Sequence, residues 1–361
     1  MKTLKKILRI VLIVLLAAVL LAGGLLGYLT LTEYAPEETA VLTAQGSGEK
    51  TLSAGQTLRL VSWNIGYGAL GDNADFFMDG GKGVNTADVP RVTQNMEAVL
   101  AFLRDQAPDI VFLQEADVNS SRSHGIDETA LVSEAFPGYQ HSFAYNFNVS
   151  FVPFPLPPIG HVESGLFTMT AFSAASVVRR SLPCPFSWPL RTANLKRCLM
   201  VSRFSIDGSD KELVLVNLHL EAYDDGEGKT EQTRVLRELL ESEWQKGNYV
   251  IAGGDFNQTL STIDLSRFAP QEGKWQPGIL DVSGFGEGWQ FFMDQNVPSC
   301  RSLDQPYAGA DRETFQYYII DGFIVSPNIR VSSFSAGDLD FRASDHNPTV
   351  LEFTLISPDA P

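Results

Sequence analysis

The chain is organised around one stretch, Tyr249-Val250-Ile251-Ala252-Gly253-Gly254-Asp255-Phe256-Asn257. Its apolar run has the length of a strand and is bounded by glycine, which predicts a buried strand. Strand side chains alternate between faces, so Asp255 and Asn257 are expected to point the same way, as a shared metal or phosphate site requires. Two glycines followed by Asp and Asn are also typical of a turn, and this stretch alone does not separate the two interpretations.

The composition is that of a globular protein with an acidic balance. Apolar residues make up 44% and charged residues 19% of the 361 residues, and the net charge is −16. Four of the 27 basic residues precede Ile10, so the rest of the chain carries 23 basic against 43 acidic residues, a net charge of −20. This balance disfavours loose electrostatic binding of nucleic acid but suits a site built around a divalent cation.

Cysteine usage argues against a disulfide framework. The chain has only Cys184, Cys198 and Cys300. A bridge between Cys184 and Cys198 stays open as an alternative, although free and buried thiols are favoured.

The N-terminal region predicts a membrane anchor. Residues 1–9 are basic, and residues 10–31 are almost wholly apolar and long enough to cross ~30 Å of hydrocarbon as a helix. Basic residues before the span and acidic residues after it place residues 1–9 in the cytoplasm and the body outside the membrane. A cleaved signal peptide is the alternative, and the length of the span favours a retained single-pass anchor.

The remainder predicts one α/β domain. Residues 32–56, rich in Glu, Thr, Gly, Ser and Ala, predict a linker. Over residues 57–357, short strands and amphipathic helices alternate without repeats, which predicts two packed sheets with helices outside. Helices are expected at 89–105 and 230–245, and strands at 58–64, 109–115, 139–145, 165–172, 197–206, 212–220, 248–255, 316–325, 330–334 and 349–356.

Several predicted strands are apolar and become polar at one end. These polar ends hold Asn64, Glu115, Asn217 with His219, Asp321, and Asp345 with His346. The carboxylate of Glu115 is expected on the face of Val111 and Leu113, where its burial is costly unless it is paired or bound to metal. Together with Asp255, the side chains of Asn64, Glu115, His219, Asp321, Asp345 and His346 supply an Asn, a Glu, two His and three Asp, the set that a hard-cation phosphoesterase uses.

In order and spacing, these segments resemble the motifs of the endonuclease/exonuclease/phosphatase superfamily. The matching segments lie within residues 58–356 and are Ser62-Trp63-Asn64, Leu113-Gln114-Glu115, Asn217-Leu218-His219-Leu220, Gly254-Asp255-Phe256-Asn257, Ile320-Asp321 and Ser344-Asp345-His346. The resemblance implies a four-layer sandwich of two mixed sheets flanked by helices. It also favours a site at Gly253–Asn257, where the glycines are expected to clear space so that Asp255 and Asn257 approach a phosphate.

The resemblance implies a metal centre. Glu115 is expected to be the principal ligand of Mg²⁺, or alternatively of Mn²⁺. Asn64 is expected beside it, and Asp345 is expected to assist.

The resemblance also implies catalytic roles. Asp255 would orient or deprotonate the attacking water, and Asn257 would hold the phosphate or a second metal position. His346, oriented by Asp321, would stabilise charge on phosphorus or act as a base, and His219 would contact the phosphate or help the leaving group. Phosphodiester hydrolysis needs a charge clamp and an oriented water, and an Asp–His pair raises the basicity of the imidazole.

The leading functional hypothesis is a membrane-anchored, Mg²⁺-dependent phosphoesterase acting outside the cytoplasmic membrane. A bacterial cell surface is favoured because Asn257-Gln258-Thr259 fits a glycosylation pattern that would block the site in a eukaryotic secretory route. The sequence implies contact with the lipid bilayer through residues 10–31 and implies no protein partner.

The substrate stays open among nucleic acid, phospholipid and inositol phosphate. The acidic body shows no basic groove for nucleic acid, whereas the anchor and the apolar, proline-rich residues 151–159 suit a phospholipid or sphingomyelin-type phosphodiesterase. A rigid loop folded on the core is the alternative for residues 151–159. A catalytically silent surface-binding module of the same fold is a further alternative, and the completeness of the residue set argues against it.

Overall fold

The structure is a computed structural model that describes residues 2–224 and 226–357. The α-helices in this part of the chain are α1 (Lys2–Leu31), α2 (Val89–Gln106), α3 (Glu128–Ala135) and α4 (Glu227–Gln245). Aspartates begin α2 and α3: the Asp88 carboxylate accepts from the amide of Arg91, and the Asp127 carboxylate accepts from the amide of Ala130. Such caps satisfy amides that have no partner within the helix. α1 is long and apolar enough to cross a membrane.

The strands are numbered along the chain. They are β1 (Thr39–Val41), β2 (Thr57–Asn64), β3 (Ile110–Asp117), β4 (Gln140–Val152), β5 (Gly160–Thr170), β6 (Ser176–Ser181), β7 (Cys198–Ser205), β8 (Glu212–His219), β9 (Tyr249–Asp255), β10 (Gln258–Leu260), β11 (Gly278–Leu280), β12 (Gln290–Phe292), β13 (Cys300–Arg301), β14 (Tyr317–Tyr318), β15 (Asp321–Val325), β16 (Ile329–Ala336) and β17 (Thr349–Leu355).

Two large mixed sheets dominate the body. The seven-stranded sheet has the order β1-β6-β7-β8-β9-β15-β12, and the six-stranded sheet has the order β16-β17-β2-β3-β5-β4. Each sheet contains one parallel pair, β8 with β9 and β2 with β3, and the other pairs in these sheets are antiparallel. The carboxyl ends of the two strands in each parallel pair therefore lie side by side.

The layers follow from which face of each strand is apolar. Leu58 and Phe112 of the six-stranded sheet pack against Leu215 and Ile251 of the seven-stranded sheet. The opposite face of the six-stranded sheet packs against α2 and α3, and that of the seven-stranded sheet packs against α4. Burying one Leu or Phe contributes roughly 2 kcal/mol, so three such clusters supply the main drive for folding. The predicted four-layer α/β sandwich is confirmed.

The interior between the two sheets changes from apolar to polar along the parallel strands. In β2 the inward positions run Leu58, Leu60, Ser62 and Asn64, and in β8 they run Leu213, Leu215, Asn217 and His219. β3 reaches Gln114 and β9 reaches Asp255 at the corresponding level. Both sheets therefore direct polar side chains into the same end of the interlayer space.

Asn217 joins the two sheets at the start of this polar region. Its Nδ2 donates to the carbonyl oxygens of Phe167 (2.9 Å) and Leu113 (3.3 Å), both in the six-stranded sheet. Its Oδ1 accepts from Gln114 Nε2 (2.8 Å), and Asn217 is fully buried. One amide thus satisfies several buried polar groups of the opposite sheet, as burial requires.

The linker prediction for residues 32–56 needs correction. Thr39–Val41 forms β1 and pairs with β6 at the edge of the seven-stranded sheet. Further along, Gln45 bridges to His141, and the side chain of Leu52 is buried. These pairings join positions distant in sequence, so a local composition typical of linkers does not reveal them.

Two smaller expectations are also settled. Residues 316–325, predicted as one strand, divide into β14, which pairs with β13, and β15, which enters the seven-stranded sheet. The thiols of Cys184, Cys198 and Cys300 are free, as favoured.

We expect Asn217→Ala to destabilise the fold by about 3 kcal/mol, because it removes an acceptor of Gln114 Nε2 and the side-chain donor to two buried carbonyl oxygens. Thermal unfolding of the full chain in detergent, followed by tryptophan fluorescence, measures the change. The exposed Asn296 provides the control, and Asn296→Ala should change stability by less than about 0.5 kcal/mol. Equal unfolding midpoints for the two variants would contradict the bridging role of Asn217.

Candidate active site

The polar end of the interlayer space opens into a cleft. Six residues predicted from the sequence line it: Glu115, His219, Asp255, Asn257, Asp345 and His346. The other two, Asn64 and Asp321, lie directly behind it and contact the lining residues. The fold therefore brings all eight predicted site residues together.

Glu115 reaches the cleft through a backbone irregularity. The register between β3 and β5 shifts between Leu113 and Ala116, and Glu115 has a positive φ of 53°. Val111 and Leu113 pack towards α2, so simple alternation would have placed the Glu115 carboxylate on that outer face. The bulge redirects it into the cleft, where Glu115 Oε1 accepts from Asn64 Nδ2 (3.2 Å). The expected shared face with Val111 and Leu113 is therefore wrong.

Asp255 and Asn257 share the cleft, but not through strand alternation. β9 ends at Asp255, and Asn257 has a positive φ of 49°. The amide of Asn257 donates to Asp255 Oδ1 (2.8 Å), and Asn257 Nδ2 donates to the carbonyl oxygen of Leu220 (2.9 Å). The segment is at once a turn and part of the site, because the turn places both side chains against the cleft.

The two glycines before Asp255 serve backbone packing. A Cβ on Gly253 would lie 2.3 Å from the ring of Phe323, and a Cβ on Gly254 would lie 2.0 Å from the carbonyl oxygen of Leu218. Gly254 also has a φ of 141°, which side chains disfavour. The expectation that the glycines clear space for a phosphate is wrong, because the space is taken by neighbouring strands.

Asp255 is the centre of a hydrogen-bonded cluster. Its Oδ2 accepts from Asn64 Nδ2 (3.0 Å) and lies 3.4 Å from His219 Nε2 and 3.8 Å from His346 Nε2. On the far side of the ring, His346 Nδ1 lies 2.8 Å from Asp321 Oδ2. The strands enforce this chain, because Asp321 of β15 is the register partner of Asp255 of β9.

Burial and neighbouring charges shift the pKa values of the two histidines in opposite directions. Burial, with help from the cationic Arg197, lowers the pKa of His219 well below its ordinary value. Burial also opposes charge on His346, but the Asp321 carboxylate and the other acidic groups outweigh it and raise the pKa of His346 well above its ordinary value. The surroundings therefore favour the neutral form of His219 and the protonated form of His346.

The carboxylates of the cleft are destabilised as anions. Burial and the adjacent Asp321 raise the pKa of Asp255 to about 7. Burial raises the pKa of Glu115 and of Asp345 above their ordinary values, and the Asp345 carboxylate raises the pKa of Glu115 further. A cation placed among these groups would relieve both the desolvation and the repulsion.

The residues fit a hard divalent cation. Carboxylate oxygens are the ligands that Mg²⁺ prefers, and Glu115 and Asp345 present them in the same cleft. Among the described residues, the ligand atoms of Asp255, Asp321 and His346 also lie within 4.8 Å of one another. Asn64 directs its NH₂ group at Glu115 and Asp255, while its Oδ1 accepts from the amide of Gly66 (3.0 Å). Asn64 Oδ1 could ligate a cation only if the amide turned over.

The loop that carries Asp345 and His346 is held from several sides. Ser344 Oγ donates to the carbonyl oxygen of Asn64 (2.8 Å) and accepts from the amide of His346 (3.1 Å). Trp63 Nε1 donates to the carbonyl oxygen of His346 (2.9 Å). These bonds tie the loop to β2, so the positions of Asn64 and His346 are set together.

Sequence reasoning assigned no role to some residues of this arrangement. Trp63 and Gln114 lie inside the recognised segments but act behind the site, through the carbonyl oxygen of His346 and the amide of Asn217. Asp79 lines the cleft, where burial raises its pKa to about 7, and it accepts from Tyr223 Oη (3.0 Å). A lone Asp outside any strand end gives no signal in the sequence.

Arg122 lines the cleft but is already paired. It makes two hydrogen bonds to Asp117, from Nη2 (2.9 Å) and Nε (3.2 Å), and its guanidinium lies 3.6 Å from the centre of the Tyr67 ring. Arg122 therefore forms a structural ion pair with Asp117.

Comparison with known proteins agrees with this geometry. The profile of the Endonuclease/Exonuclease/phosphatase family matches residues 61–346. No curated protein sequence matches the chain.

Solved structures share the fold at low sequence identity. An endonuclease/exonuclease/phosphatase from Beutenbergia cavernae DSM 12333 is 18% identical with a TM-score of 0.54, over 84% of this chain and 72% of that one. An endonuclease/exonuclease/phosphatase family protein from Bacteroides thetaiotaomicron is 16% identical with a TM-score of 0.51, over 84% and 99%. TDP2 from C. elegans is 16% identical with a TM-score of 0.50, over 84% and 77%. With a family profile that spans most of the folded body, the chain belongs to the endonuclease/exonuclease/phosphatase family.

Proposed function

We propose that this protein is a divalent-cation-dependent phosphoesterase, held at the membrane by residues 10–31 with its catalytic body outside the cytoplasmic membrane. The observation that carries the proposal is the chain from Asp321 through His346 to Asp255, placed beside the carboxylates of Glu115 and Asp345 in one buried cleft. A silent binding module would not need this set of mutually repelling groups, whose burial costs stability.

Glu115 and Asp345 would hold the cation, with Asn64 beside them. The cation, Mg²⁺ or Mn²⁺, would polarise a phosphoryl oxygen and offset the negative charge of the substrate. Asn64 supports this arrangement because its NH₂ group donates to both Glu115 and Asp255 and so fixes the two carboxylates relative to each other.

Asp255 is proposed to receive the proton of the attacking water. A pKa near the working pH suits a general base, and burial together with Asp321 shifts Asp255 in that direction. In the reaction, the water oxygen bonds to phosphorus and its proton passes to Asp255. The ester oxygen leaves with the bonding electron pair on the side of the site that His219 and Asn257 border.

His346 is proposed to stabilise the charge that develops on the phosphoryl oxygens. The Asp321 carboxylate keeps the imidazole protonated and fixes its orientation through Nδ1. A fixed cation in a buried site stabilises a transition state more than a mobile one in water does.

We expect Asp255→Asn and His346→Gln each to lower kcat for bis-p-nitrophenyl phosphate by about 100- to 10,000-fold, because each removes a proton-transfer or charge-stabilising group. Asp264→Asn is the matched control, since Asp264 is exposed and caps a surface turn. Thermal midpoints establish that each variant is folded. Activity of the two site variants equal to that of Asp264→Asn would refute the mechanism.

We also expect Mg²⁺ to raise the thermal midpoint of the full chain, because a ligand that binds only the folded state stabilises it by about 2.7 kcal/mol at a hundredfold excess over Kd. Glu115→Gln and Asp345→Asn should weaken this stabilisation. A chelator should abolish hydrolysis, and added Mg²⁺ or Mn²⁺ should restore it. Hydrolysis that persists in chelator would exclude the metal-dependent proposal.

A further inference from the structure

The catalytic cleft is one end of a larger cavity of about 920 Å³. Its polar end holds Asp255 and His346, and its other end is walled by Leu25, Leu26 and Leu29 of α1. This volume is near the upper end of the ~300–1,000 Å³ typical of small-molecule sites. A phosphate ester bound at the polar end therefore has room for a long substituent that points towards α1.

The walls between these ends are apolar. Phe77, Val152, Phe154 and Ile159 line this stretch, and the rings of Phe77 and Phe154 pack edge to face with centroids 5.7 Å apart. Val152 and Ile159 belong to a separate hydrophobic cluster on this side of the body. An apolar substituent gains free energy here, whereas a sugar–phosphate backbone would lose its hydration.

The arginines that line the cavity do not supply an open basic groove. Arg122 is paired with Asp117, and Arg197 Nε lies 3.2 Å from Glu221 Oε2. Arg301 donates to backbone carbonyl oxygens, including that of Gly71 (2.8 Å). Each guanidinium is engaged, so a polyanionic substrate finds little to replace its counterions.

α1 is fastened to the body at the mouth of the cavity. Its Leu29 is buried, and Trp188 Nε1 donates to Thr30 Oγ1 (3.1 Å). Just beyond the helix, Glu33 Oε1 lies 3.2 Å from Arg191 Nε and 3.3 Å from Lys196 Nζ. The helix and the body therefore form one wall of the cavity rather than being joined by a loose tether.

Exposed apolar side chains surround this mouth. Phe154, Leu156, Trp188 and Leu190 are each more than half exposed, and Leu156 reaches 88%. A soluble surface rarely groups such residues, and their position beside the end of a membrane-spanning helix identifies the bilayer as what covers them.

The depth of the opening fits one leaflet. The α1 wall of the cavity runs from Ala22 to Leu29, and Ala22 lies nine residues before the helix end at Leu31, about 13 Å along the axis. One leaflet of the hydrocarbon core is ~15 Å thick. The cavity therefore opens at the level of the acyl chains next to the catalytic body.

We propose that the substrate is a membrane lipid with a phosphate-ester headgroup, taken directly from the leaflet next to the catalytic body. Its phosphate binds at Asp255 and His346, and an acyl chain lies along Phe77, Val152 and Ile159 towards the inner face of α1. The exposed apolar rim sits in the bilayer and gives the lipid a continuous apolar path into the site. This inference rests on the phosphoesterase activity proposed above and specifies its substrate class.

The test compares lipids with their chain-free counterparts, using the full chain in nanodiscs with Mg²⁺. The pairs are phosphatidylcholine with glycerophosphocholine, phosphatidylglycerol with glycerophosphoglycerol, and phosphatidic acid with glycerol 3-phosphate. Products are quantified by phosphorus NMR, and bis-p-nitrophenyl phosphate reports the chemistry alone. For at least one pair, we expect kcat/KM for the lipid to exceed that for the chain-free ester at least ~10-fold, because burying only two CH₂ groups supplies that factor.

Two variants probe the path of the chain. Leu26→Trp fills the α1 wall of the cavity, and Phe154→Ser removes an exposed apolar residue of the rim without threatening the fold. Both should lower lipid hydrolysis at least ~5-fold and leave bis-p-nitrophenyl phosphate hydrolysis unchanged, because they act only on chain binding. Leu21→Trp is the matched control, since Leu21 is 75% exposed and does not line the cavity, and it should affect neither substrate.

The outcomes separate this inference from the proposed function. Cleavage of bis-p-nitrophenyl phosphate with no preference for any lipid over its chain-free ester overturns the lipid inference and leaves the phosphoesterase proposal standing. The same holds if Leu26→Trp and Phe154→Ser both hydrolyse lipid as the parent chain does. If the protein cleaves none of the esters, including bis-p-nitrophenyl phosphate, both the phosphoesterase proposal and the inference that rests on it are overturned.

Discussion

The amide of Asn217 connects the two sheets at the level where the interior between them changes from apolar to polar. On the apolar side of Asn217, leucine and phenylalanine side chains of the two sheets pack together and need no hydrogen-bond partner. Beyond this level, β2, β3, β8 and β9 carry inward polar groups that must be satisfied, and Asn217 bonds to Leu113, Phe167 and Gln114 of the opposite sheet. Because these bonds fix the spacing of β3, β5 and β8, they also fix how far Glu115 and His219 stand from Asp255. The sheet interface therefore sets the relative positions of Glu115, His219 and Asp255, while the adjoining turn and loop add Asn257, Asp345 and His346.

Several carboxylates lie close together in this buried interface, and their mutual repulsion must be compensated by positive charge. Burial disfavours the anionic forms of Asp255, Glu115 and Asp345 and raises the pKa of each. The structure supplies part of the positive charge through His346, whose pKa is raised well above its ordinary value by the acidic groups around it, although burial opposes the charge. The remainder calls for an added cation, and this is the physical reason that the donor set points to a metal-dependent reaction.

Sequence patterns predicted the site well where the strands are regular. Asn64, Asn217 and His219 occupy the inward positions that alternation assigns to β2 and β8. Glu115 and Asn257 also line the cleft, but the faces expected for them from alternation were wrong, because both have positive φ values and leave the strand geometry on which alternation depends. The same limit applies to residues 32–56, where β1 pairs with β6 across more than a hundred residues of intervening chain. The contact of α1 with the body also depends on such distant partners, so no local pattern could reveal it.

The acidic net charge of the body gives a physical reason for a membrane anchor. A body with a net charge of −20 is repelled by the anionic lipids of a membrane surface, so charge attraction cannot bring it there. A membrane-spanning helix, as proposed for α1, would overcome this repulsion and keep the body at high local concentration near the bilayer. Because Glu33 and Trp188 also join this end of α1 to the body, such an anchor would set the orientation of the cleft as well as its location. In the proposed arrangement, apolar contact would select what enters the cleft, and a bound cation and His346 would act only on the phosphate.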